Sequence, residues 1–266
     1  MIIDPAVYDA IAQSPFLKEQ FSAFSESTQE RDNGAGTIRI TYLTVRGRQT
    51  HLTIFKPAQL PQGRLTFHLW IDDREKLPLI RDSLAKETLL QPEIRLERVL
   101  IDGKSVPQVD STRVEFPDEK GNVPRAATQV DARYSDYLRK RYPDIKPEQE
   151  GTTREKAEAP GYAPGRLLND ITRFTLTASD AESEHLLAEF RAYGYAIRAE
   201  GAKRIATGPE IEFMLVPGPP GAPRKLAIDM KLNRPKTGDQ SYQVGVSELR
   251  FNGSKATWYF PAGWRP

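Results

Sequence analysis

The chain has 266 residues, 38 basic against 36 acidic side chains, a formal charge of +2 and a hydrophobic fraction of 38%. That is enough to bury a core in one large domain or two modules, and it excludes the composition of a disordered chain, which has fewer large apolar residues and a larger net charge. Cysteine is absent, so disulfides, thiolate nucleophiles and Cys-ligated zinc or iron–sulfur sites are excluded, and no stretch approaches the roughly 18 apolar residues that cross a bilayer.

Lys and Arg alternate with Asp and Glu almost everywhere, and the densest basic run is Arg139-Lys140-Arg141. A nucleic-acid binder carries a basic stripe instead, so the expected partner is a small molecule, with no nucleic acid and no membrane, in a monomer or homodimer. The start, Met-Ile-Ile-Asp, has no secretory n- and h-regions, which predicts a cytoplasmic location.

Asp4-Pro5 predicts the first helix, with Val7 and Ile11 on one face, and Ser14-Pro15 predicts a second start continued by Leu17, Phe21 and Phe24. Period-two alternation then predicts strands over Thr37–Val45, Thr50–Phe55 and Leu65–Ile71. In the last two, one face is aliphatic and the other is polar or aromatic with a histidine, His51 or His68. A helix interrupted by Pro78 is expected over Glu75–Leu90, followed by a strand at Ile94–Ile101 that ends in the Asp102-Gly103 turn signal.

A short helix around Ser135–Arg141 and a polar Glu-, Pro- and Gly-rich segment, Lys146–Pro164, read as a connection. The second half is expected to run as strand Ile171–Thr177, helix Asp180–Tyr193 and strands near Tyr195–Ala199, Ile211–Val216 and Leu226–Leu232. Ser179 and Glu182 fit a capping box and Gly194 a left-handed stop. Val246–Phe251, Asn252-Gly253 and Lys255–Phe260 read as a hairpin with a type I′ turn.

Both halves therefore share a strand, helix, strand, strand, strand order, with Met1–Ile3 left as the leading strand of the first. The expected fold is α+β: two paired βαβββ modules forming an open, mostly antiparallel barrel-like sheet with the helices outside. The modules span residues 1–123 and 166–266, joined by residues 124–165.

Ile171–Asp180 followed by "LAEFRAYGY" at Leu187–Tyr195 resembles a vicinal oxygen chelate (glyoxalase-like) module. "YDAIAQSPFLKEQFSAFSEST" at Tyr8–Thr28, "SDYLRKRYPD" at Ser135–Asp144 and "SELRFNGSKATWYF" at Ser247–Phe260 resemble an uncharacterised bacterial glyoxalase-like family across nearly the whole chain. The resemblance implies a divalent metal held by His and Glu on the concave sheet. This chain departs from that pattern: it begins after the family's Asn-His strand, it has Thr53 where the family tends to place Glu, and Arg173 falls on the usual ligand position of the second module. A guanidinium cannot act as a metal ligand.

His51 and His68 are the candidate catalytic residues, since alternation turns both toward the barrel interior. With Asp229 they could hold a metal; they could serve as a general base; or they could be ordinary hydrogen-bonded histidines on a half-exposed sheet. A divalent cofactor and no cofactor are both compatible with the residues. Arg173 and Asp229 are expected to face the same cavity, as an anion clamp or as a salt bridge with each other. Trp70 and Tyr134 are ligand-contact candidates, with Tyr137 beside the latter, while His185 is expected on a helix surface. The resulting expectation is a lyase, isomerase or dioxygenase of glyoxalase-like type with an atypical or absent metal; the alternative is a metal-free binding or resistance protein.

Overall fold

The side chain of Asp4 accepts a hydrogen bond from the Ala6 backbone N–H at 2.8 Å, and Pro5 takes the first turn, so α1 runs Pro5–Gln13 as its local chemistry requires. The computed structural model describes residues 1–32, 36–56, 65–114, 126–133, 161–220 and 224–264. After α1 the expected second helix is one π-helical turn, Leu17–Phe21, and the chain then becomes β1, Ala23–Asp32. The apolar stripe ends there because Phe21 is fully buried while Ser25, Ser27 and Gln29 alternate along an extended strand.

Strands β2 (Thr37–Arg46), β3 (His51–Phe55) and β4 (Leu65–Trp70) follow the alternation of the sequence. Pro78 does not interrupt a helix. It sits in the first turn of α2, Leu77–Thr88, where a missing N–H costs no hydrogen bond, and a short 3₁₀ turn at Arg74–Lys76 precedes it. Strand β5 (Glu93–Ile101) turns through Asp102 and Gly103, both at positive φ (51° and 73°), into β6 (Lys104–Arg113). Strand β7, Ala126–Arg133, lies inside the sheet, although the sequence places it in the connection.

The expected short helix around Ser135–Arg141, most of the polar segment and the basic run at Arg139–Arg141 lie outside the described residues. Strand β8 (Leu168–Ala178) leads to α3 (Asp180–Ala192), whose Glu182 N–H is capped by Ser179 Oγ at 3.3 Å and whose end is marked by Gly194 at φ 80°. Then come β9 (Ala196–Glu200), β10 (Lys203–Thr207), β11 (Glu212–Pro217), β12 (Arg224–Leu232), β13 (Ser241–Val244), β14 (Ser247–Asn252) and β15 (Lys255–Trp264). Asn252 pairs with Lys255, so the last hairpin loop is Gly253-Ser254 with Gly253 alone at positive φ (59°), not an Asn-Gly type I′ turn.

The strands form a seven-stranded sheet in the order β3-β2-β1-β5-β6-β7-β4 and an eight-stranded sheet in the order β13-β14-β15-β12-β8-β11-β10-β9. Within them, β4-α2-β5-β6-β7 and β8-α3-β9-β10-β11 are two βαβββ units of identical topology: in each, the first strand runs parallel to the fourth and the strand order is first, fourth, third, second. Met1–Ile3, α1 and β1–β3 repeat that order in outline, with the leading strand reduced to one parallel bridge between Ile2 and Phe55. The protein is α+β, built of mixed, mostly antiparallel sheets, one of them a curled half-barrel. The seven-stranded sheet is the curled one, since its two outermost strands, β3 and β4, line one cavity.

One apolar core joins the two sheets. Phe67 of β4 meets Phe174 and Phe213 of the other sheet edge-on, with ring centroids 5.2 and 4.7 Å away. The β2–β3 turn is fastened to β8 by Asp170, whose carboxylate accepts from the backbone N–H groups of Gln49 (3.1 Å) and Thr50 (2.8 Å) and from the Thr50 hydroxyl. A side chain at Gly47 would come within 2.8 Å of Asp170 Oδ1 and 3.0 Å of the Asn169 carbonyl, so glycine is needed for this approach. Replacing Asp170 with Ala leaves those donors unpaired, and urea unfolding of the variant is expected to show a loss of about 3 kcal/mol. A loss under about 1 kcal/mol would mean that solvent replaces the carboxylate.

Candidate functional site

Strand alternation determines what the curled sheet shows on its inner face. Leu52 and Ile54 of β3 are buried in the core, so His51, Thr53 and Phe55 point the other way. Leu43 and Val45 of β2 do the same for Tyr42, Thr44 and Arg46. The inner face, together with Phe174 of β8, Phe213 of β11 and the segments that precede β9 and β11, borders a cavity of about 460 Å³, within the range of small-ligand sites.

A polar chain crosses this face. His68 Nδ1 lies 2.8 Å from Asp131 Oδ2, on the neighbouring parallel strand β7. The Gln129 side-chain amide donates to Asp131 Oδ1 and to Glu97 Oε1, both at 2.8 Å, so those two carboxylate oxygens cannot be farther apart than twice that distance. Ser111 Oγ donates to the same Glu97 oxygen at 3.1 Å, and Arg31 closes the chain on Glu97 Oε2 at 3.2 Å. The sequence Arg31–Glu97–Gln129–Asp131–His68 thus spans β1, β5, β7 and β4.

The register of this sheet slips between Glu97 and Arg98, which face Val109 and Pro107, leaving Gln108 as the extra residue of a β-bulge. Gln108 lines the cavity, is 9% exposed, and its buried side-chain oxygen accepts no hydrogen bond from the described residues. A bulge re-aims the side chain it carries, which is how this amide comes to the cavity wall.

Asp131 has a side chain only 11% exposed, whereas that of His68 is 50% exposed. A carboxylate can only accept, so the ring presents Nδ1–H to Asp131; in the neutral imidazole, Nε2 then carries the free lone pair, an assignment that follows from the hydrogen-bond network.

His51, His68 and Trp70 are therefore brought together on one cavity. Arg173 and Asp229 are not. Phe174 turns inward, so its neighbour Arg173 faces outward from the second sheet, where Arg173 pairs with Glu212 at 2.7 Å and with Asp229 at 3.8 Å. Asp229 also accepts from the Thr257 hydroxyl at 2.7 Å. The two form the salt bridge with each other and no clamp in the cavity, because the sheet that carries them is not the one that carries the histidines. A metal set of His51, His68 and Asp229 fails for the same reason, and among the described residues no group of three His, Asp or Glu side chains is placed to hold a metal ion. Tyr134 and Tyr137 lie outside the described residues. His185 is half-buried on α3, and burial lowers its pKa.

Residues 1–260 match the model of one protein family. The chain belongs to that family, DUF5829, a family of unknown function. No curated protein matches the chain. Among the described residues, no helix is long and apolar enough to cross a membrane.

Arg31, Glu97, Gln108, Gln129 and Asp131 were not legible as site residues. For the β7 pair a signal exists: Gln129 and Asp131 alternate with Val130 and Ala132, a period-two pattern within Ala126–Arg133. For Glu97 there is none, since it becomes a site residue only through partners on three other strands.

Proposed function

We propose that this protein is a small-molecule enzyme that moves a proton on its substrate, of lyase or isomerase type, with His68 as the general base and Asp131 as the group that orients it. The observation that carries the reading is the His68–Asp131 pair, which opens on a cavity of ligand size. His68 Nε2 takes a proton from a carbon next to a carbonyl, the electron pair of the broken C–H bond moves onto the carbonyl oxygen, and hydroxyl donors of the wall such as Thr66 receive the charge that develops there. Where that carbon carries a hydroxyl, the hydroxyl proton passes to the former carbonyl oxygen and the imidazolium returns its own proton to the former carbonyl carbon, which moves the carbonyl group by one carbon and restores the base.

The two βαβββ units of identical topology support placing this chemistry in the glyoxalase-like class. The divalent metal typical of that class does not fit the described residues, because His68 is engaged by Asp131 and no third ligand adjoins it. No step is therefore assigned to a metal. The lack of such a ligand set also favours a second reading, a metal-free binding protein using the same cavity.

The experiment is solvent-deuterium exchange followed by NMR on a panel of 2-hydroxyaldehydes, 2-hydroxyketones and 2-oxoacids. At least one compound should exchange its α-proton faster with protein than without, and His68→Ala should lower that rate by about 10²–10⁴-fold. Exchange that survives His68→Ala undiminished, or a panel on which the protein has no effect, would leave the binding-protein reading in its place.

A further inference from the structure

We infer that the cavity selects a neutral, polyhydroxylated ligand of sugar-like chemistry, and that Gln108 is a residue that reads it. The inference rests on the same cavity as the proton-transfer reading and specifies the class of molecule that enters it.

The lining groups divide into those already engaged and those that are not. Every charged or imidazole residue on the lining has an interaction partner, and the side chains of Arg31 and Glu97, and of His68 and Asp131, are paired with each other. A ligand bearing a carboxylate or phosphate would have to break one of these pairs to be paired itself, and an unpaired charge in a cavity is costly. The neutral groups are in the opposite condition. Among the described residues, no hydrogen bond engages the hydroxyls of Ser25, Ser27, Thr53 or Thr66, and Gln108 contributes an unpartnered amide from a side chain more than nine-tenths buried.

The unused hydrogen-bonding capacity is therefore carried by hydroxyls, each of which donates and accepts, together with the Gln108 amide, whose oxygen lacks a donor. Alcohol hydroxyls of a ligand match this set, whereas a carboxylate can only accept and an ammonium can only donate. Trp70 adds an apolar ring to the same wall, a surface against which the C–H face of a sugar packs. The Gln108 amide is also held against stability: a buried carbonyl without a donor destabilises the free protein, as expected of a residue kept for a ligand.

The test uses the whole chain and defined probes: D-glucose, D-galactose, D-xylose and myo-inositol, with glucuronate and glucosamine as charged counterparts, each titrated by calorimetry and saturation-transfer NMR. At least one neutral probe should bind, and its charged counterparts should bind at least tenfold more weakly. In Gln108→Leu, which keeps the volume and removes the orphan amide, affinity for that probe should fall about tenfold while the melting temperature holds or rises. Charged probes that bind as well as neutral ones, no neutral probe that binds, or unchanged affinity in Gln108→Leu would each overturn the inference. His68→Ala separates it from the catalytic reading: neutral-probe binding kept in that variant with no exchange activity in either protein sinks catalysis alone, and His68-dependent exchange without sugar binding sinks the ligand class alone.

Discussion

Raising the pH from 5 to 9 is expected to lower the stability of the folded chain by on the order of 4 kcal/mol through Glu189. This residue of α3 is 1% exposed, and its Oε2 accepts from the Thr128 backbone N–H at 3.0 Å and the Thr128 hydroxyl at 2.6 Å. Burial pushes its carboxyl up to about 8, against the pull of the two Thr128 bonds toward ionisation. An unfolded glutamate ionises near 4.5. Between those values the folded state holds a proton that the unfolded state has lost, so the contribution is fully present below about 4.5, fades as the pH climbs and is gone above about 8.

Glu189→Gln keeps an acceptor for Thr128 and cannot ionise. Urea unfolding at pH 5, 7 and 9 should show variant and parent within about 1 kcal/mol at pH 5 and the variant more stable by several kcal/mol at pH 9. Parallel pH profiles for the two proteins would show that Glu189 ionises normally. The consequence reaches the cavity, because Thr128 also lies 2.6 Å from the Tyr193 hydroxyl and precedes Gln129 and Asp131 on β7. The carboxyl thus anchors α3 to the strand that carries two members of the polar chain.

Elements with a local signature were legible in the sequence. The Asp4-Pro5 start, the Ser179 cap, the Gly194 stop and the alternation of β2, β3 and β4 each depend on neighbours within a few residues, and each element appears in the structure. Strand β1 had no such signature. It is polar on both sides because Ser25, Ser27 and Gln29 face the cavity while Glu26 faces α1, where Tyr8 donates to it at 3.0 Å. Without an apolar face along Ser25–Gln29 there is no period to read, and Leu17 and Phe21 before the strand, with Phe24 at its start, imitate a helix.

The same distinction divides the candidate site. His51, His68 and Trp70 share a cavity because alternation alone aims them inward. Arg173 and Asp229 were aimed by the same rule, and it paired them correctly across β8 and β12, but alternation cannot say on which of two sheets, or toward which side of it, a polar face lies. That depends on the sheet order, which brings β3, β1, β5, β7 and β4 around one hollow and leaves β8 and β12 in the neighbouring layer.

The second large effect concerns Asp131. Asp131→Asn should lower any His68-dependent turnover by about 10²–10⁴-fold with little change in ligand affinity. The carboxylate accepts from Nδ1 at 2.8 Å and so leaves Nε2 unprotonated toward the cavity. An asparagine amide can turn its NH₂ toward Nδ1, which moves the ring proton to Nε2 and removes the lone pair that accepts the substrate proton. A merely structural aspartate would alter stability and leave the tautomer alone. The ¹⁵N shifts of His68 distinguish the two: Nε2 should have the shift of an unprotonated nitrogen in the parent and of a protonated one in the variant. Gln129→Leu is the milder counterpart. Gln129 donates to Asp131 Oδ1 while His68 contacts Oδ2, so its loss should leave the tautomer in place and lower the rate by about tenfold through looser positioning of the carboxylate. If Asp131→Asn kept both the parent tautomer and the parent rate, the orienting role would have to pass to another group and His68 would lose its claim to be the base.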